Sequence, residues 1–260
     1  MSQPLNTLIT GASAGIGQHI AEAFAEQGHN LVLVARSEAA LQEHAERLRA
    51  AYGIDVIVHA TDLTKANAAQ TLGKALSQQP IDVLVNNAGS LTSGSFKHMD
   101  EAAIANMLTL NIVALTALCR TFIPPMVERG SGKVLNIASV AAFQPLPSLA
   151  VYAATKAYVL SFSESLSLEL AKKNVTVTAV CPGYTDTNML RGPIAAGKAV
   201  IPEIAVLKPE RVAADAYEAC MRGDPVKVPG IAYAALTTSM RMMPKWLSRR
   251  VTALGTNVKR

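Results

Sequence analysis

The segment VYAATKAY, residues 151–158, places a lysine between two tyrosines. No glycine or proline interrupts residues 149–173, and their apolar positions predict a helix. An α-helix turns about 100° per residue, so Tyr152 and Lys156 lie about 40° apart, whereas Tyr158 is about 200° from Lys156. Only Tyr152 can therefore share a pocket with this lysine.

A tyrosine beside a lysine can transfer protons. A phenol with a pKa of about 10 is only about 0.1% ionised at neutral pH, so a general base needs its anion stabilised. The Lys156 ammonium would supply that charge; the alternative is a helix-surface contact worth a few tenths of a kcal/mol. Ser139, 13 positions before Tyr152, follows a predicted strand and could bring a second hydroxyl to the site. A serine there is also an ordinary turn residue.

The elements that position these residues alternate between strand and helix. Apolar, β-branched runs occur at residues 5–10, 31–35, 54–60, 81–85, 133–138 and 175–181. Each is followed by a helical pattern, which predicts a parallel, doubly wound sheet buried on both faces. Ligands of such sheets bind beyond the carboxyl ends of the strands, so we expect the post-strand turns to hold the function.

The first of these turns, TGASAGIG at residues 10–17, is rich in glycine and opens a helix. Glycines allow a tight turn and a close approach of a pyrophosphate to the backbone, and the helix N-terminus attracts the anion. The alternative is a glycine-rich turn without a ligand. We expect a dinucleotide to contact this turn through Gly11, Ser13, Ala14, Gly15, Ile16 and Gly17.

The second strand is followed by Arg36 and Ser37, where NAD-binding proteins commonly carry an acidic residue. A guanidinium can pair with the 2′-phosphate of NADP, and Ser13 can add a hydroxyl. We therefore predict NADP(H) as the preferred cofactor, with NAD(H) possible. The alternative is a solvated Arg36 before a helix that Ser37 caps.

The third and fourth strands also end in polar turns. Asp62 could accept a hydrogen bond from an adenine amino group, with Leu63 beside it, although Asp62-Leu63-Thr64 also fits a helix N-cap. The sequence NNAG at residues 86–89 has small and amide side chains that suit close approach by a ribose.

Composition limits the function classes. The chain has 260 residues, half of them hydrophobic, which suffices for one sizeable core. The three cysteines are scattered and show no metal-ligand spacing, which predicts no disulfide framework, no metal site and a cytoplasmic location. The first residues lack the pattern of a secretion signal. Two charge-free windows, 102–119 and 134–155, contain asparagine or proline and are interpreted as buried soluble elements.

The positive charge is concentrated in the last forty residues, which hold eight Lys or Arg and one acidic residue. Within this basic extension, 221–260, residues 244–254 form an amphipathic pattern that could contact an anionic membrane surface or an acidic carrier protein. The alternative is packing on the same domain or on a neighbouring subunit. Nucleic-acid binding is not expected, because stacking aromatics and a binding motif are lacking.

Together, these residues resemble the short-chain dehydrogenase/reductase family. The resemblance rests on TGxxxGxG, NNAG, Asn111, Ser139, YxxxK and Pro182-Gly183, covers about residues 5–190, and is nearest to the NADP-linked bacterial carbonyl reductases. It implies a single α/β domain with a Rossmann fold, a sheet of about seven strands, and a homodimer or homotetramer. Separately, residues 186–207 contain glycines and prolines among apolar residues, a composition that suits a lid over the substrate.

The resemblance further implies a role for each motif. Tyr152 would exchange a proton with a carbonyl or alcohol substrate that Ser139 holds. Lys156 would bind the nicotinamide ribose and lower the pKa of Tyr152. Asn111, within a long helix from about Glu101, would hold a water that leads protons to Lys156; the alternative is a packed, hydrogen-bonded amide. Further cofactor contacts would come from Asn87, Ala88, Gly89, Pro182, Gly183, Thr185 and Thr187, and an apolar substrate pocket from Phe143, Leu146, Leu149 and Tyr184. The alternative function is a dinucleotide-sensing protein without turnover.

Overall fold

The computed structural model describes residues 3–195 and 202–242. Seven parallel strands form one sheet in the order β3-β2-β1-β4-β5-β6-β7. The six predicted strands are all present, and a seventh of two residues completes the edge. Their bounds are β1 Asn6–Thr10, β2 Asn30–Ala35, β3 Val56–Ala60, β4 Val83–Asn86, β5 Gly132–Ile137, β6 Val175–Val180 and β7 Val226–Lys227.

Helices connect the strands and cover both faces of the sheet. Their bounds are α1 Gly15–Glu26, α2 Glu38–Tyr52, α3 Ala68–Ala75, α4 Glu101–Leu108, α5 Leu115–Arg129, α6 Ala150–Leu170, α7 Asn188–Ala195, α8 Pro209–Arg222 and α9 Ile231–Met242. Short 3-10 turns occupy Phe96–His98, Val140–Phe143 and Glu203–Ala205.

Two hydrophobic cores lie on opposite sides of the sheet. Leu8 and Ile9 are adjacent in β1 and fully buried, yet they belong to different cores. Helices α3, α5 and α6 pack on the Leu8 side, and α1, α2 and α8 on the Ile9 side. Since both faces of the central strands are covered, most of their side chains are apolar, which accounts for the continuous hydrophobic runs. The predicted doubly wound α/β fold is confirmed.

The strand order reverses between β1 and β4, and this is the position where open α/β sheets bind ligands. Thr10 joins the two strands at this point. Its hydroxyl donates to the carbonyl of Val85 (3.2 Å) and accepts from the backbone N–H groups of Asn87 and Ala88 (both 3.0 Å). The glycine-rich turn and the NNAG turn are therefore held together at the carboxyl edge of the sheet.

The helix expected to run on from about Glu101 is interrupted by a π-helical turn at Thr109–Ala114. The stretch 101–129 is long and apolar enough, by length and composition alone, to cross a membrane. Its buried residues pack on the sheet and on α6, as Leu118 and Met107 do with almost no exposed surface. This packing agrees with the interpretation of the window as part of a protein core.

The predicted lid falls partly outside the described residues, because 196–201 are among those not described. Its two ends lie side by side: Asp186 N–H donates to the carbonyl of Leu207 (3.0 Å), and Leu207 N–H donates to that of Tyr184 (2.8 Å). The amphipathic segment 244–254 lies outside the described residues, so its role stays a prediction.

Candidate active site

Ser139, Tyr152 and Lys156 come from two neighbouring elements. Ser139 follows β5 and caps the 3-10 turn Val140–Phe143, where its hydroxyl accepts from Ala141 N–H (3.1 Å). Tyr152 and Lys156 lie one turn apart in the first half of α6, with Lys156 Nζ 5.8 Å from the centroid of the Tyr152 ring. The three predicted side chains are thus brought together at the carboxyl edge of the sheet.

Burial dominates the electrostatics of this group. It raises the pKa of Tyr152, and hydrogen bonding with the Ser139 side chain acts in the opposite direction. Burial also lowers the pKa of Lys156 to about 8, although the nearby Cys181 thiol favours the charged form. The expectation that Lys156 lowers the pKa of Tyr152 is not met by the protein groups alone. The reason is that the desolvation of the phenol outweighs the hydrogen bond to Ser139.

Lys156 is almost fully buried and donates to the carbonyl of Ile137 at the end of β5 (2.8 Å). An ammonium has three donors, so two remain after this bond. A Cβ atom added at Gly89 would lie 3.7 Å from Lys156 Nζ and 3.3 Å from Asn111 Oδ1. The glycine of NNAG therefore leaves open the space in front of the amine.

Tyr158 lies on the other side of α6, as its helical position predicts. Its hydroxyl is 2.9 Å from that of Thr116 on α5, and its ring stacks on Phe162 with centroids 5.6 Å apart. The side chain is partly exposed at the surface of the two helices. This tyrosine therefore has a structural contact and no access to Lys156.

Asn111 lies in the π-helical turn and is 2% exposed. Its Oδ1 accepts from Ser90 N–H (2.9 Å), and its Nδ2 donates to the Ser90 carbonyl (3.0 Å) and to the Thr155 hydroxyl (3.1 Å). Thr155 Oγ1 donates in turn to the Tyr152 carbonyl (2.7 Å). The amide side chain thus joins the loop after β4 to α6 with both of its donors and one of the two acceptor sites of Oδ1.

The glycine-rich turn is packed against Asn87. A Cβ atom added at Gly17 would lie 2.3 Å from both Asn87 Nδ2 and the Gly11 carbonyl oxygen. The same Nδ2 donates to the carbonyls of Thr10 (2.9 Å) and Gly11 (3.2 Å). Gly11 and Gly15 also have positive φ angles, +66° and +59°, which other residues rarely adopt. Glycine is therefore required at each of these three positions, either by the backbone conformation or by the close packing around the Cα atom.

The N-terminus of α1 is suited to a phosphate. Ala14, its N-cap residue, offers no side-chain cap, so the first N–H groups of the helix are left for another acceptor. An open cleft of about 710 Å³ begins there and is lined by Gly15, Thr187, Lys208 and residues of α1 and α8. A Cβ atom on Gly15 would lie 3.3 Å from Thr187 Cγ2. The uncapped N-terminus, the glycine packing and the cleft all fit the pyrophosphate of a dinucleotide.

At the end of β2, Arg36 is exposed, and it contributes to lowering the pKa of Asp62. The larger cause of that lowered pKa is hydrogen bonding from the hydroxyl and the N–H of Thr64, at 2.7 and 3.0 Å. The helix N-cap interpretation of Asp62 is wrong, because α3 begins only at Ala68 and Asp62 closes a turn before it. Ser37 does cap α2 by accepting from Ala40 N–H (3.4 Å).

The turn after β6 is braced by a tyrosine from α9. A Cβ atom on Gly183 would lie 2.2 Å from the Tyr233 ring, and the Tyr233 hydroxyl donates to the Ala205 carbonyl (2.7 Å) and accepts from Tyr184 N–H (3.3 Å). Pro182 and Thr185 are buried beside it, and Thr185 donates to the Gly183 carbonyl (3.1 Å). These contacts fix the peptide groups next to Thr187.

The residues of the predicted substrate pocket form a surface that is only partly apolar. Phe143 is partly buried under the Arg241 guanidinium, which lies 4.9 Å from its ring centroid and pairs with Glu164 (2.9 Å). Leu146 and Leu149 are partly buried, and Tyr184 is 46% exposed. Arg241 therefore adds a positive charge that the sequence pattern did not indicate.

Sequence reasoning missed several residues that position the site. They are Thr10, Ser90, Asn136, Thr155 and Tyr233. Asn136 illustrates the reason: it lies within β5, where its amide accepts from Asn86 Nδ2 (2.9 Å) and donates to Ser163 Oγ (2.9 Å). A polar residue inside an otherwise apolar strand was the available signal. Among the described residues, no cluster of three His, Cys, Asp or Glu side chains could hold a metal ion.

A family model for short chain dehydrogenases matches residues 6–195, which include the glycine-rich turn, Asn111, Ser139, Tyr152 and Lys156. The chain belongs to the short-chain dehydrogenase family. The resemblance seen in the sequence motifs is therefore confirmed, and the protein is an oxidoreductase.

Among curated relatives of this short-chain dehydrogenase, ketoacyl reductase HetN of Nostoc sp. is 37% identical over 183 residues, which are 68% of this chain and 62% of HetN. A 3-oxoacyl-[acyl-carrier-protein] reductase, FabG of Chlamydia trachomatis, is 34% identical over 71% of this chain and 75% of the relative.

Among solved structures, a short-chain dehydrogenase from Sphingobium yanoikuyae in complex with NADPH has a TM-score of 0.82, with 35% identity over 98% of this chain and 97% of the other. A bulky-bulky ketone specific alcohol dehydrogenase from Comamonas testosteroni has a TM-score of 0.81, with 32% identity over 100% and 96%.

Proposed function

We propose that this short-chain dehydrogenase interconverts a ketone or aldehyde and the corresponding alcohol with NADP(H). The observation that carries the proposal is the grouping of Ser139, Tyr152 and Lys156 at the same sheet edge as the glycine-rich turn. The relatives that act on 3-oxoacyl groups or bulky ketones support a carbonyl substrate. Compounds with 3-oxoacyl or other apolar carbonyl groups are the first substrates to examine.

In this mechanism Ser139 and Tyr152 hold the substrate oxygen with their hydroxyl groups. Tyr152 donates its proton to that oxygen during reduction and removes it during oxidation. The bound nicotinamide supplies the hydride for reduction and accepts it in oxidation. Burial keeps Tyr152 protonated, which suits the general acid needed for reduction.

Lys156 acts on this proton transfer through its charge. The backbone carbonyl of Ile137 fixes the amine, which leaves two donors for the ribose hydroxyls or a water molecule. Because burial lowers the pKa of Lys156 to about 8, the amine can also exchange its own proton near neutral pH. Asn111 fixes the same helix by hydrogen bonds to Ser90 and Thr155.

The preference for NADP(H) over NAD(H) is assigned to Arg36. Its exposed guanidinium follows β2, and its charge favours the 2′-phosphate. Ser13 lies in the turn that faces the same edge of the sheet, and its hydroxyl would add a second donor. The NADPH complex of the Sphingobium relative supports this choice of cofactor.

The test is a panel of ketones, aldehydes and 3-oxoacyl thioesters, each assayed with NADPH and with NADH. We expect turnover of at least one class and a higher kcat/KM with NADPH. Arg36→Glu should lower the NADPH/NADH ratio at least tenfold, roughly the loss of one charge-assisted contact. Lys74→Glu, the same charge change at an exposed position of α3, should leave it nearly unchanged.

Tight NADPH binding without turnover of any compound would favour the alternative of a dinucleotide-sensing protein. Self-association into a dimer or tetramer and a cytoplasmic location remain predictions. The same holds for contact of the basic extension with a membrane surface or an acidic carrier.

A further inference from the structure

His44 on α2 contacts the backbone of the glycine-rich turn. It is 2% exposed, and its Nδ1 lies 3.2 Å from the carbonyl oxygen of Ala12. A carbonyl oxygen only accepts hydrogen bonds, so Nδ1 carries the proton. In a trans peptide the C=O and N–H groups point in opposite directions. By holding the Ala12 carbonyl, His44 therefore directs the N–H of Ser13 away from α2.

The other ring nitrogen of His44 faces a carboxylate. Nε2 has no hydrogen-bond partner among the described residues, and it lies 3.7 Å from Glu22 Oε1 on α1. In the neutral ring Nε2 is an acceptor opposite another acceptor. A proton on Nε2 would convert this contact into an ion pair, so Glu22 favours the charged ring against the effect of burial.

The charged surroundings of His44 extend to the cleft beside the turn. Glu22 Oε2 lies 2.8 Å from His19 Nδ1, and His19 Nε2 lies 3.7 Å from Glu210 Oε1 on α8. His19 and Glu210 both line the cleft. Arg47 on α2 and His19 oppose protonation of His44, whereas Glu22 favours it. Four titratable side chains thus connect the cleft to the turn.

We propose that His44 is a positioning residue of the cofactor site: it orients the glycine-rich turn through Ala12, and it takes up a solvent proton on Nε2, facing Glu22, when NADPH binds. This inference rests on the proposed NADP(H) function. Within the part of the chain that the structure describes, the polar contacts of His44 go to Ala12 and Glu22 and not to Ser139, Tyr152 or Lys156, so its effect is on cofactor affinity.

The direction of the coupling follows from charge. Burial lowers the pKa of His44 in the protein alone, which keeps the ring neutral near pH 7. The phosphates of NADPH bring negative charge to the turn and raise that pKa. A group whose pKa is higher in the complex adds affinity below its free-protein pKa, and this added affinity is lost as pH rises through the pKa of the complex. NADPH should therefore bind more tightly at low pH and take up protons.

The experiment measures the Kd of NADPH by fluorescence from about pH 5.5 to 8.5, the range in which histidines titrate. His44→Leu should weaken binding about three- to tenfold, roughly the loss of one hydrogen bond, and should remove the contribution of His44 to the pH slope. His44→Asn keeps a donor near the position of Nδ1, so this variant should bind NADPH like the wild type at high pH. It should lack the contribution of His44 to the pH slope. Titration of the 2′-phosphate itself is common to all variants and cancels in the comparison.

His29→Leu is the matched control. His29 is also buried, and its pKa is also lowered by burial, but its Nδ1 contacts Thr7 at the opposite end of β1 (2.8 Å). This variant should keep the wild-type Kd and pH slope. Calorimetry in two buffers of different ionisation enthalpy should show proton uptake on NADPH binding by the wild type and less uptake by both His44 variants.

An unchanged Kd and pH slope in both His44 variants would overturn the inference and reduce His44 to a packed core residue. The same conclusion follows if His29→Leu has an equal effect on binding. If His44→Leu fails to fold, His44→Asn and the calorimetry still decide the question. If the wild-type protein does not bind NADPH, the proposed function is overturned together with this inference. If the wild type binds NADPH and the His44 variants bind it equally well, only this inference is overturned.

Discussion

The Nζ atom of Lys156 lies 5.8 Å from the centroid of the Tyr152 ring, and the Ser139 side chain opposes the rise in the Tyr152 pKa that burial causes. The Lys156 amine is oriented by the carbonyl of Ile137, and in the proposed mechanism its charge would act on the phenol through space. This arrangement separates two tasks. Ser139 defines the direction of the proton, and Lys156 contributes charge.

Tyr152→Phe should lower kcat by about 10²- to 10⁴-fold, the usual contribution of a general acid, because the proton donor is lost. NADPH affinity should stay within about twofold, since no backbone group of the turn changes. Tyr158→Phe is the control: it removes only the surface contact with Thr116, so kcat should stay near the wild-type value. Steady-state kinetics and NADPH titration measure both; equal losses in the two variants would reject the role of Tyr152.

Lys156→Met should abolish turnover and stabilise the folded protein at pH 7, on the order of 1–3 kcal/mol, because a buried ammonium is costly. The folded-state pKa of about 8 lies below the unfolded value of 10.5, so the penalty is fully present below pH 8 and disappears as pH rises towards 10.5. Urea unfolding at several pH values should show the stability difference between variant and wild type shrinking as pH rises. A constant difference would contradict the lowered pKa.

Asn111→Leu should reduce stability by about 2–4 kcal/mol, because it leaves the N–H and carbonyl of the partly buried Ser90 without this partner and removes the donor to the buried Thr155 hydroxyl. It should also lower kcat, since the loop after β4 loses its bond to α6. Asn106→Leu, an exposed asparagine on α4, should change stability by about 0.5 kcal/mol or less. Denaturant unfolding checks the pair, and similar losses in both variants would remove the special role of the π-helical turn.

Gly17→Ala should raise the Kd of NADPH at least tenfold, because its methyl group would collide with Asn87 and the Gly11 carbonyl and displace the turn. Gly53→Ala is the comparison variant. Gly53 has a φ of +66° at the end of α2 with no neighbour within 4 Å, so alanine should cost about 1 kcal/mol of stability without affecting binding. Unchanged NADPH binding by Gly17→Ala would refute the steric argument.

Much of the fold was predictable because a parallel sheet covered on both faces imposes continuous apolar strands. The run LVLVA, for example, forms β2 almost residue for residue. The two-residue strand β7 was not predictable from any run, because Val226 and Lys227 pair only through the tertiary position of β6. The alternative of a helix N-cap at Asp62 was wrong because the same side chain caps turns and helices with equal ease, whereas its contact with an adenine stays a prediction.

The separation of Tyr152 from Tyr158 was predictable because helical geometry alone fixes it. The contact of His44 with the glycine-rich turn was not predictable, because a histidine on the buried face of an amphipathic helix resembles any core residue until its contact with Ala12 is known. Tyr233 likewise gave no local signal. Its partners Gly183 and Ala205 are 50 and 28 positions away, so only the fold brings them together.

The π-helical turn at Thr109–Ala114 puts α4 and α5 out of phase. A π turn holds one residue more than an α turn, so the faces of the two helices are offset by about 100° relative to a continuous helix. Removing one residue here would make the two helices continuous but would rotate one of them about its axis. Either Met107 on α4 or Leu118 on α5 would then leave the protein interior. The number of residues in this segment is therefore as constrained as their identity, and homologues that alter its length would have to rebuild one side of the molecule.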